Sequence, residues 1–272
     1  MKTYLKPIIY TLVFALILIY PVKVLAAKET KSIPLHFFAV HCEPTTAFNR
    51  MFETLCSFVQ LADTYKIKLT IEFTPQWANM ILSDKQKLSR LRSWQNNGHE
   101  IAGHHHPATH KYTWDGYSDD KNKFNDPRFK GTMQDYADIL NRLAYPLKIN
   151  TLGNPDINDW VQGVPYRTEG FVANNAVSAP VKSIIKGTTV YTLGYGFLGG
   201  KINLVKLKKI YNAFKGDQVF GVVTHVFNFD ENPGVIEEWF KFISENDPQG
   251  KNNLTVSQIM NNKLKRRIDA EN

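Results

Sequence analysis

Cysteine is nearly absent from the 272-residue chain, which has only Cys42 and Cys56. That excludes a scaffold built on disulfides and a zinc fold built on cysteine clusters. Glycine is modest at 16 residues, so collagen-like and low-complexity classes are excluded too. No glycine fingerprint follows the first strand-like segment, which argues against dinucleotide binding. Acidic residues are outnumbered, 25 against 33 Lys and Arg, for a formal net charge of +8. By charge alone the partners are nucleic acid, anionic membrane or anionic glycan. Long apolar runs are missing except for one, from Pro7 to Tyr20. Lys2 and Lys6 precede it and Val24-Leu25-Ala26 follows, the three-part layout of a secretory signal peptide. The run is short for a bilayer span of roughly 20 residues, which favours cleavage over a retained anchor.

Residues 1–26 are therefore expected to be a signal peptide and 27–272 one domain, exported to the periplasm or the cell exterior. Cleavage removes three lysines and no acid, which trims the positive balance. Export removes nucleic acid from the partners and points to cell-surface or envelope polymers. A membrane is then met only through the signal segment, where it stays uncleaved.

A hydrophobic fraction of 43%, with aromatics at 12%, supplies a real core. Short apolar runs alternate with helical patterns. Leu35 to His41 reads as a buried strand, and Phe48, Met51, Phe52, Leu55, Phe58, Val59 and Ala62 recur at helical spacing. Lys68 to Phe73 and His99 to Gly103 read as strands, with a helix between them capped by Ser83. Tyr136, Ala137, Ile139, Leu140 and Leu143 form another helix face, ahead of a strand near Ile149 to Leu152. Thr188 to Leu193 and Val219 to His225 are strands around a helix capped by Asn203. Asn232-Pro233 opens a further helix, and Thr255-Val256-Ser257-Gln258 reads as the capping box of a last one. This alternation predicts a parallel α/β fold, barrel or doubly wound.

The eight histidines cluster: five lie between His99 and His110, and the others are His36, His41 and His225. In parallel α/β folds, catalytic groups gather at the carboxyl ends of strands, where His41, His104 and His225 fall. Period-two alternation puts His41 and Glu43 on one face of the first strand and Cys42 on the other. One carboxylate with two imidazoles and an open position is a normal set for a divalent metal, zinc foremost. Such a metal lowers the pKa of bound water and polarises a carbonyl. With Cys42 turned toward the helix layer and Cys56 beside the first helix's apolar face, a disulfide and two free thiols are both open.

The run Leu35-His36-Phe37-Phe38-Ala39-Val40-His41-Cys42-Glu43-Pro44, the segment Gly98-His99-Glu100-Ile101 with its histidines, and Val222-Val223-Thr224-His225 resemble the polysaccharide deacetylases, the NodB-homology or carbohydrate esterase family 4 proteins. The resemblance covers nearly the whole of residues 27–272. It implies a distorted (β/α) barrel of about seven parallel strands, a metal held by one acid and two histidines, and removal of acetyl groups from a glycan such as a cell-wall polysaccharide. On this resemblance Glu43 is the metal-binding acid and His104 the first metal histidine. The position of the second is Ala108, so His110 is the expected ligand; a rival register pairs His106 with His110. His41 stands where the family has its base aspartate, and His225 resembles the general acid. Arg167, in Tyr166-Arg167-Thr168-Glu169-Gly170, resembles the arginine that orients the base. Sugar-stacking walls are expected from Trp114, Trp160 and Tyr166, with Trp77 and Tyr117 as further candidates. His99 and His105 fall to supporting roles, and Asp156-Ile157-Asn158-Asp159-Trp160 spells a family motif out of its usual order. The histidine in place of the base aspartate leaves a barrel that binds envelope glycan with little or no turnover as the alternative.

Overall fold

Leu35–Cys42 carries apolar side chains on both faces, and a strand of that kind must lie inside a sheet covered on both sides. The computed structural model describes residues 33–169, 176–214 and 216–271, with side chains through Leu264. The expected signal peptide lies outside the described residues, which belong to one compact unit, Ile33–Asn272. In chain order the first half holds β1 (Leu35–Cys42), α1 (Asn49–Thr64), β2 (Leu69–Phe73), α2 (Pro75–Leu82), α3 (Lys85–Asn96), β3 (Glu100–His104), α4 (Met133–Ala144), β4 (Thr151–Gly153) and β5 (Tyr166–Glu169). The second half holds β6 (Val177–Ser178), β7 (Val181–Ile185), β8 (Thr188–Gly194), β9 (Gly196–Phe197), α5 (Lys201–Ala213), β10 (Val219–His225), α6 (Val226–Glu231), α7 (Pro233–Asn246) and α8 (Val256–Glu271).

The strands β10-β1-β2-β3-β4-β5-β8 form a continuous parallel arc of seven. Short β6 runs antiparallel to β10, and β7 folds back on β8 as a hairpin. The arc curls until its two ends meet. Gly194 at the end of β8 donates its N–H to Ser178 Oγ on β6 at 2.9 Å. A Cβ at Gly221 on β10 would lie 2.5 Å from the Gly194 carbonyl oxygen. The architecture is the expected distorted (β/α) barrel.

Alternation along β1 divides the core in two. Phe38, Val40 and Cys42 face the helices, whereas Phe37 and Ala39 face the barrel interior with Tyr166, Leu193 and Val223. The helix α1 exists because Met51, Phe52, Leu55, Phe58, Val59 and Ala62 form one apolar stripe, and all six are buried. In α4 a complete capping box, Thr132 with Asp135, fixes the start. The floor of the barrel is closed by α8, whose Val256, Ile259 and Met260 join the interior core. Gln258 Oε1 there accepts the Thr255 N–H, one half of the expected capping box. Beside it Glu100 accepts from Thr70, Thr151 and Ser257, tying β2, β4 and α8 together.

Several local expectations change. The cap of α3 is Asp84, which accepts from the backbone of Gln86 and Lys87, while Ser83 ends the unexpected eight-residue α2. The helix α5 starts at Lys201 behind Gly200, ahead of Asn203. The cysteines are free thiols: Cys42 is buried against the helices, and Cys56 is half-buried at the edge of the helix-side core. Among the described residues no helix is long and apolar enough to cross a membrane.

Candidate metal centre

The parallel pairing sets the site. His41 lies level with His225 on β10 and with Glu72 on β2, so one row crosses three neighbouring strands near their carboxyl ends. Glu43 follows directly on β1, and its backbone carbonyl accepts the Trp77 indole N–H at 2.9 Å. Its carboxylate meets three imidazoles. The His104 Nε2 lies 3.3 Å from Oε1, His106 Nε2 2.7 Å from Oε2, and His225 Nε2 3.2 Å from Oε1. The Nε2 atoms of His104 and His106 are themselves 2.9 Å apart. These groups open into a cavity of about 400 Å³, which Phe227, Tyr195 and Pro155 also line.

The strand β3 delivers His104, and the turn after it decides which neighbour returns to the site. His105 turns away into a fully buried pair with Asp115, Nδ1 to Oδ2 at 2.8 Å. The same Asp115 carboxylate accepts the His106 and Tyr117 N–H groups. Held this way, His106 folds back over His104, and its Nδ1 lies 2.9 Å from Thr113 Oγ1. His110 stands one ring further out, 5.2 Å from the His106 centroid, and still lines the cavity. The structure thus sets His106, rather than His110, beside Glu43 and His104. His225 is aimed by Asn228, whose Oδ1 accepts from Nδ1 at 3.0 Å, and its ring stacks on Phe227. Its Nε2 is thereby left to face the site.

Burial alone would raise the Glu43 carboxyl, but hydrogen bonds from His104, His106 and His225 overcome this and hold it far below the usual carboxylate range. Burial, with His41 nearby, pushes His104 down to about 3, so that ring is neutral. His41 is lowered by burial and then by His225. Burial opposes a charge on His105, yet Asp115 and Asp159 lift it to about 9. An ionised Glu43 beside a neutral His104 is the protonation state a divalent cation requires of such ligands. The fit is supported by orphaned donors: buried His41 Nδ1 and Nε2 and His104 Nδ1 have no hydrogen-bond partner. One ligand atom each from His41, Glu43 and His104 falls within a mutual 4.8 Å. The residues present therefore fit a metal.

The other expected residues lie elsewhere. Arg167 donates Nε to the Asn154 carbonyl at 2.7 Å and Nη2 to that of Pro155, and pairs with Glu169. Its contacts hold the loop beside the cavity, and it does not orient His41. Trp160 is 1% exposed and gives its indole N–H to the Val164 carbonyl, so it is packing and no sugar platform. Trp114 is buried too, bonded to the Tyr117 carbonyl with the Arg128 guanidinium over its ring. Tyr166 begins β5 at the floor and bonds Asn261 of α8. Asp159 is not idle, because it accepts from Ser118 Oγ and the Asp119 N–H and so joins two loops.

Sequence reasoning missed Glu72, Asn228, Asp115 and Thr168. Glu72 had a signal, a lone charge inside the apolar strand Leu69–Phe73. It is fully buried, and burial raises its carboxyl to about 7.

No family model and no curated protein matches this sequence. Among solved structures, a putative polysaccharide deacetylase from Mycobacterium smegmatis aligns over 87% of this chain and 93% of its own, with a TM-score of 0.56 at 12% identity. A probable polysaccharide deacetylase from Pseudomonas aeruginosa PAO1 aligns over 81% and 86%, with a TM-score of 0.53 at 11% identity. Puue allantoinase aligns over 80% and 86%, with a TM-score of 0.53 at 12% identity. At these identities the likeness is one of architecture, and the chain has the barrel fold of the polysaccharide deacetylases.

Proposed function

We propose that this protein is an exported, metal-dependent hydrolase that removes acetyl groups from a glycan. The observation that carries the reading is the Glu43 carboxylate facing the nitrogens of His104, His106 and His225 at the mouth of a deacetylase-type barrel. Glu43, His104 and His106 are the residues that would hold the ion, zinc by donor chemistry. When bound, the ion supplies Lewis acidity and a nucleophile at neutral pH. His41 takes up the proton released in the attack. His225, fixed through Asn228, gives a proton from Nε2 to the departing nitrogen or oxygen. Phe227 and Tyr195 add aromatic wall to the cavity. Export rests on the layout of residues 1–26, and the substrate class on the fold likeness and the resemblance.

Acetate release from acetylated oligosaccharides, with and without added zinc, tests the reading. Equal release by the wild type and Glu43→Ala would reject catalysis here. A second reading, glycan binding with little turnover, is favoured by His41, the assigned base, being 1% exposed. Glycan retained after chelation, without acetate release, would distinguish it.

A further inference from the structure

One polar group in the cavity wall has no bond within the protein. Tyr195 sits where the chain leaves β8, which pairs with β5, for β9, which pairs with β10. It is therefore fixed at the seam where the two ends of the arc meet. Its ring packs into the interior core with Tyr166, Leu193 and Val223. It also meets the His41 ring edge to face at 5.7 Å, and His225 meets that ring in the same way at 5.2 Å. Only 4% of Tyr195 is exposed, and it lines the cavity together with Glu43 and His104. Its hydroxyl has no hydrogen-bond partner among the described residues, although the Glu72, Glu169 and Glu43 carboxylates act on it through space. Nor is that hydroxyl sealed in protein, as the orphaned Tyr136 hydroxyl is, so the cavity is what it faces. A buried phenol ordinarily finds a partner for its O–H. This one is left for what enters the cavity, and near neutral pH it is a donor.

We propose that the Tyr195 hydroxyl is a catalytic hydrogen-bond donor, holding the acetyl carbonyl oxygen and stabilising the charge that oxygen gains when the carbonyl carbon is attacked. As the new C–O bond forms, the π pair of the carbonyl moves onto this oxygen. It returns as the bond to the sugar nitrogen or oxygen breaks. The Tyr195 proton stays on Oη throughout, and His41 and His225 carry the protons as above. A donor held by two strands at a seam need not reorganise as the charge develops, which is where such donors are worth most. The kinetic consequence rests on the hydrolase reading; the contact with an oxygen in the cavity does not.

Acetate, the product of the reaction, is the probe. Protein carrying 3-fluorotyrosine at position 195 alone, in zinc-containing buffer, is titrated with sodium acetate, and its single ¹⁹F signal is expected to move saturably. By calorimetry acetate is expected to bind Tyr195→Phe about 10-fold more weakly than the wild type. That variant is expected to keep the wild-type urea midpoint and zinc ratio, because the hydroxyl it loses bonds to nothing in the protein. Its kcat is expected to fall about 10²–10³-fold with KM little changed. A ¹⁹F signal that ignores acetate, or equal acetate affinity in wild type and Tyr195→Phe, would overturn the proposal. Should Tyr195→Phe fail to fold, the fluorine titration decides alone. Tyr195-dependent acetate binding in a wild type that releases no acetate would defeat the hydrolase reading and leave the contact standing. Acetate release at the same kcat by wild type and Tyr195→Phe would do the reverse.

Discussion

Glu43 gains its importance from what two other strand ends, those of β3 and β10, bring to it. One carboxylate among three imidazole nitrogens has its charge compensated only while those rings stay close, or while a cation sits among them. Glu43→Gln keeps the shape and removes the charge. Elemental analysis is expected to show bound metal falling to background, with the fold unchanged by circular dichroism. His225→Asn is expected to keep the metal and lose about 10²–10⁴ in kcat, the usual contribution of a positioned acid. The placement of His41 on the cleft side, with Cys42 toward the helices, was legible from alternation alone. The choice between His106 and His110 was not, because it depends on Asp115 drawing His105 inward and turning the chain. Glu72 was visible as a misplaced charge, but its partner Thr168 lies 96 residues away and nothing local points to it.

At the scale of elements, the strongest patterns were the readable ones. The strands β1 and β10 are continuous apolar runs, and α1 and α4 each carry a single stripe closed by a turn or a cap. The strands β5, β6, β7 and β9 went unread because they are short or partly exposed, whereas β8 was legible in Thr188 to Leu193. Their role is to finish the curl, and the tightest point of that curl is Gly221. A methyl group there would meet the Gly194 carbonyl at 2.5 Å and the Phe37 ring at the same distance. Gly221→Ala is expected to lower stability by about 1–3 kcal/mol, measured by urea unfolding, because backbone and not a flexible side chain must move. Thr132→Ala, which opens the α4 capping box, is expected to cost about 1 kcal/mol in the same assay.

For the whole molecule, acid should be the weak side. His36 is buried at the start of β1, away from the metal centre, with its Nδ1–H on the Pro34 carbonyl. Burial lowers its pKa from 6.5 in spite of that bond and of Asp247. The unfolded chain therefore takes up a proton near pH 6.5 before the folded one does, and stability is lost as pH falls below that value. Urea midpoints are expected to drop between pH 7.5 and 5.5, with a smaller drop in His36→Gln. A slope that ignores this substitution would assign the acid sensitivity to other groups.

The floor built by α8 has a consequence for how the protein comes into being. β1 is made well before its neighbour β10 and the helix that seals the interior beneath it, which come after most of the intervening fold. The inner face of β1 is therefore only partly covered until β10 and α8 have left the ribosome. Partners so distant in sequence slow folding and lengthen the time that sticky strands stay uncovered. Ending synthesis before Val256 should give a polypeptide that aggregates, whatever the state of its histidines.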